Sequence, residues 1–83
     1  MDVTLGYLRE SLSNYTEKYE SCQQIYAKLK ENQYKDEGEF VNDLNEAEMA
    51  VLDLVLKNEI NYAKKEQDDK RAHELSEVYE LLF

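Results

Sequence analysis

Proline is absent from this 83-residue chain, and glycine occurs only at Gly6 and Gly38. Helix breakers are therefore nearly missing, while Glu, Lys, Leu and Gln are plentiful. That balance favours long helices and argues against a sheet. Cysteine occurs once, at Cys22, which excludes a disulfide framework and a cysteine metal cluster. No apolar run approaches the length of a transmembrane helix. Positive charge is scarce: 10 Lys and Arg stand against 19 Asp and Glu, for a formal net charge of −9. Such a surface repels phosphate backbones and anionic lipid, so nucleic acid and membrane are disfavoured as partners. The opening Met1-Asp2-Val3-Thr4 lacks the basic and apolar parts of a secretory signal. With a free thiol, this leads us to expect the reducing cytoplasm.

What is present is a seam. Leu5, Leu8, Leu12, Tyr15, Tyr19, Cys22, Tyr26 and Leu29 follow one another at alternating three- and four-residue steps. The mean of 3.5 residues is the repeat of a helix laying one face along another helix. The length allows one domain, residues 1–83, and a chain this short is marginally stable alone. Well-packed helices or a second chain must supply the rest.

The seam predicts a long helix over about 4–33, with Asp2 or Thr4 able to cap its start. Asn32 to Gly38 reads as the turn, followed by a short helix over about 37–44 with Phe40 and Leu44 facing inward. A new helix starts at Asn45. Asn45 and Glu48 have capping-box spacing, and Leu44 and Met49 occupy the hydrophobic-staple positions around the same boundary. From Glu46 to Leu82 nothing breaks a helix. Ala47, Val51 and Leu54 begin a seam, and Ala72, Leu75, Tyr79 and Leu82 end it in the same heptad phase. Between them the positions turn polar, at Asn58, Asn61, Lys65 and Asp68. One helix over about 46–82 is the first expectation; a break near Gln67-Asp68-Asp69 is the alternative.

At 1.5 Å per residue the two helices measure about 45 and about 55 Å. Folded into an antiparallel hairpin, they place Leu5 near Leu75 and Leu29 near Val51. Asn58, Asn61 and Lys65 then face the Cys22, Tyr19 and Tyr15 layers, where phenol hydroxyls want partners. The stretch from Met49 to Leu56 is apolar almost all round, and a hairpin covers one side of it. Leu52, Leu56, Ile60 and Ala63 mark a second stripe, which we take as a dimer or partner interface. The fold expected is thus all-α, an antiparallel helical hairpin that pairs into a dimeric four-helix bundle. The other possibility is that the Phe40–Leu44 segment folds over the stripe.

Candidate chemistry is thin. Cys22 sits on the seam and reads as a small apolar residue. His73 has Asp69 four residues before it and Glu77 four after, but carboxylates near a histidine are common in so acidic a helix. Lys64, Lys65, Lys70 and Arg71 are interleaved with Glu66, Asp68 and Asp69, so ion pairs at four-residue spacing account for them better than a nucleic-acid surface. Phosphate loops, Ser-His-Asp sets and metal-ligand spacings are absent. We therefore expect no enzyme, no catalytic residue, no metal, no cofactor and no small-molecule substrate.

The opening from Met1 through Asn14 resembles that of the Bacillus family of sigma-G-dependent sporulation-specific SASP proteins. The likeness continues in Glu39-Phe40-Val41, Asp43-Leu44, Glu48-Met49, Lys70-Arg71-Ala72, Glu74-Leu75 and the run from Glu77 to Leu82. The resemblance implies expression in the forespore and retention in the spore interior. It brings no activity, cofactor or catalytic residue. The DNA-coating small acid-soluble spore proteins carry glycine-bearing motifs that this chain lacks, so DNA coating is not carried over. The function expected is non-catalytic, through protein–protein contact with a second copy or another protein. A spore storage or structural protein degraded on germination is the alternative, and a nucleic-acid-binding spore protein is a third class.

Overall fold

Four residues in succession, Ser13-Asn14-Tyr15-Thr16, have modest helix propensity, and Ser, Asn and Thr compete for neighbouring backbone groups. In the computed structural model of the chain, which describes residues 3–82, they end the first helix. The Ser13 hydroxyl donates to the Glu10 carbonyl at 2.6 Å and the Thr16 hydroxyl to the Ser13 carbonyl at 3.3 Å. The expected helix over 4–33 is thereby divided into α1 (Val3–Leu12) and α2 (Glu20–Glu31). Asp2, one of the two expected caps, lies outside the described residues. Thr4, the other, lies inside α1, where its hydroxyl bonds the Glu74 carboxylate.

The remaining helices begin at side-chain caps. Asp36 accepts from the Glu39 N–H at 2.9 Å and starts α3 (Glu37–Asn42). Asn45 and Glu48 form the full capping box at the start of α4 (Glu46–Lys65), with both reciprocal bonds present. Leu44 and Met49 pack against the core on either side of that boundary. Asp68 accepts from the Arg71 N–H at 3.1 Å and starts α5 (Asp69–Leu81). The continuous helix over 46–82 is therefore replaced by its alternative, a break at 66–68. There Gln67 adopts a left-handed backbone, φ 58°. The Asp68 N–H reaches back to the Ala63 carbonyl and the Gln67 N–H to the Lys64 carbonyl. This is the Schellman arrangement that usually employs glycine.

The described residues contain five helices and no strand. α1 packs on α2, α2 on α4, α4 on α5 and α5 on α1, closing a ring of four helices within one chain; α3 lies on α5. Neighbours run antiparallel: Thr4 and Ser11 of α1 bond Glu74 and Arg71 of α5, while Tyr15 and Lys28 bond Glu59 and Glu48 of α4. The extents, 30 × 27 × 23 Å, are far shorter than the 55 Å rod of the expected hairpin. Shortening the helices brings α1 back onto α2 and α5, closing the ring on a side of α4 that two rods leave open.

The seam residues from Leu5 to Leu29 all belong to the core or pack against it. The middle of the expected register is corrected: Asn58, Asn61 and Lys65 are exposed and do not face the tyrosine layers. Tyr15 instead donates to Glu59 at 3.3 Å and lies parallel to Tyr19. An asparagine can find water at the surface, whereas burying one costs free energy unless every polar atom is matched.

Candidate contact surface

The stripe expected to meet a partner is turned inward. Leu52 and Leu56 are 0% exposed, Ala63 1% and Ile60 8%, all part of the chain's own core or at its edge. As a surface stripe this expectation is corrected. The reason is geometric: with α1 and α2 folded back, the ring of helices encloses this face of α4. The face carrying Ala47, Ala50 and Leu54 takes the solvent side instead, and Leu54 is 47% exposed.

The surface holds a different feature. Where the end of α1 meets the end of α4 and the start of α5, a cleft of about 540 Å³ opens. Its walls carry Glu10, Glu59, Glu66 and Asp68, together with Asn14, Tyr62 and a single cation, Arg71. Four carboxylates against one guanidinium leave the lining negative. Arg71 is already engaged: it meets Glu10 at 3.0 Å and Asp68 at 3.6 Å, donates to the Ser11 hydroxyl at 3.2 Å and lies over the Tyr7 ring. It therefore ties α5 to α1. Glu59 accepts from Tyr15; burial, then Glu59, pushes the Tyr15 phenol above its ordinary value and keeps it a donor. Glu66 and the ring of Tyr62 remain open to solvent. The arrangement offers negative charge and an aromatic face, and it holds no nucleophile paired with a base.

A second polar cluster joins α2 to the start of α4. The Lys28 ammonium meets Glu48 Oε1 at 2.8 Å and donates to the Asp43 carbonyl at 2.6 Å. Beside it the Tyr34 hydroxyl donates to Asp43 Oδ2 at 2.6 Å and accepts from Asn32 at 3.2 Å. Burial, then the bond to Asp43, pushes the Tyr34 phenol up to about 12. This cluster fastens the chain and is filled by its own groups.

The other candidates lie apart from the cleft or take ordinary roles. Cys22 is buried, and burial raises its thiol. His73 is exposed and meets Glu77 at 3.1 Å; no group of three His, Cys, Asp or Glu suited to a metal occurs among the described residues. Among those residues, too, no helix is long and apolar enough to cross a membrane. The acidic cleft was missed from sequence because its carboxylates come from three helices. The one local signal is the seven-residue spacing of Glu59 and Glu66 along one face of α4.

The whole chain, residues 1–83, matches the family described as CsgA, minor curli fiber component A. It is 61% identical to the sigma-G-dependent sporulation-specific SASP protein of Bacillus subtilis (strain 168), with all of both chains covered. No solved structure matches it.

Proposed function

Given that the chain belongs to the family of the sigma-G-dependent sporulation-specific SASP protein, whose family description reads minor curli fiber component A, we propose that it is a non-catalytic protein of the forespore and spore interior that works by binding another protein. It is a sporulation-associated small protein. The observation that carries the proposal is the acidic cleft at the meeting of α1, α4 and α5. In a chain of net charge −9, its complement is a basic segment of a partner, drawn in by charge and seated against Tyr62. The same charge disfavours nucleic acid. A fibre role is not carried over from the family description. Cross-β fibres grow from segments of low net charge and high β propensity, and this chain is charged and helical.

A lysine-rich peptide titrated into the purified protein by calorimetry tests the reading, beside Glu59→Gln/Glu66→Gln. Binding that weakens in the variant and with added salt supports it. Equal binding by both proteins, or none by either, overturns it. Affinity capture from sporulating cells with the same two proteins then identifies the partner as the species retained by the parent and lost by the variant.

A further inference from the structure

The break between α4 and α5 has an unusual composition. It contains neither glycine nor proline, and its left-handed position is held by Gln67, φ 58°. A non-glycine residue there is strained against its own Cβ. The flanking sequence also permits the alternative: residues 64–70, all exposed, are compatible with an unbroken helix. Returning Gln67 to right-handed backbone would fuse α4 and α5 into one rod. The core face of α5, formed by Ala72, Leu75 and Val78, would then leave its own chain.

We propose that the Glu66–Asp68 turn is a hinge through which two copies of this chain exchange α5. Each copy's α5 takes its partner's place against α1 and α4, rebuilding the contacts seen within one chain, the Thr4–Glu74 bond included. Short strained hinges invite such an exchange, because the core contacts of the two forms are the same and the hinge decides between them. Opening relieves Gln67 and continues the helical hydrogen bonds through 66–68. It gives up the Asp68 cap on the Arg71 N–H and the freedom of two separate molecules. The partner in this exchange is a second copy of the chain, and the exchange does not depend on what the cleft binds.

The experiment refolds the full chain at high concentration and separates monomer from dimer with light scattering. Gln67→Gly removes the strain of the closed turn, and glycine folds there readily. Dimerisation should therefore weaken by about fivefold per hinge, hence about 25-fold in the dimerisation constant, since each dimer opens two. Cross-linking distinguishes exchange from simple docking. In a Cys22→Ala background, Thr4→Cys with Glu74→Cys is treated with a short bifunctional thiol reagent. Exchange predicts covalent dimers in the dimer fraction and intrachain links in the monomer fraction. A parent that stays monomeric overturns the proposal. So does a dimer whose links are intrachain, or a dimer share that Gln67→Gly leaves unchanged.

Discussion

Removing either partner of the Lys28–Glu48 pair should have unequal effects, because the two ends are unequally buried. The Glu48 side chain is 2% exposed and that of Lys28 28%. Lys28→Met leaves a carboxylate inside the protein with one remaining donor, the Asn45 N–H at 2.9 Å. Breaking a buried pair this way costs about 3–5 kcal/mol. The remaining cap bond places this case at the lower end, about 3 kcal/mol. Glu48→Gln keeps an oxygen for the Asn45 N–H, and the freed ammonium can reach water while holding the Asp43 carbonyl. That change should cost about 1 kcal/mol. In the double variant no charge is stranded, so its cost falls below the sum of the two by about 1–2 kcal/mol. Urea unfolding followed by circular dichroism measures all three. On heating, the single changes should lower Tm by about 12–24 °C and about 4–8 °C. Equal costs, or a strictly additive double variant, would mean that no buried charge is stranded at Glu48.

Three further outcomes follow from burial. Leu56→Ala, wholly inside the core, should cost about 2–5 kcal/mol, whereas Leu54→Ala on the open face should cost under about 1 kcal/mol; the reverse order in urea melts would mean that the faces of α4 are assigned wrongly. Tyr34 should titrate near 12, against an ordinary 10.0. Its folded form holds the proton more tightly, so its stabilising contribution is intact below about pH 10 and disappears as pH rises through about 12. Ultraviolet titration of the parent and Tyr34→Phe checks this, and identical curves would rule it out. Cys22, buried and with its thiol raised, should react with a thiol reagent at the rate of opening; labelling as fast as a free thiol would contradict the core assignment.

The parts legible in the sequence were those with local causes. The capping box at Asn45 depends on residues three apart, and the seam from Leu5 to Leu29 on spacing alone. The two helix breaks were harder because neither contains glycine or proline. At 13–16 the signal was a run of weak helix formers, with the Ser13 and Thr16 hydroxyls bound to backbone carbonyls. At 66–68 it was the capping power of Asp68, strong enough to hold Gln67 in a strained conformation. The inward turn of Leu52, Leu56, Ile60 and Ala63 followed from those breaks, since only shortened helices can surround α4. The acidic cleft was illegible for the same reason: Glu10, Glu59 and Asp68 become neighbours only once the rods are broken and folded back.

Small-angle X-ray scattering on the monomer peak of a sizing column reports whether the chain folds into a short-helix ring with the α4 stripe inside. The Cα radius of gyration is 11.6 Å, as compact as a folded chain of this length should be, about 12 Å. A solution value near that figure is predicted. A monomer of about 16 Å, the value for a rod about 55 Å long, would restore the extended hairpin and contradict the account.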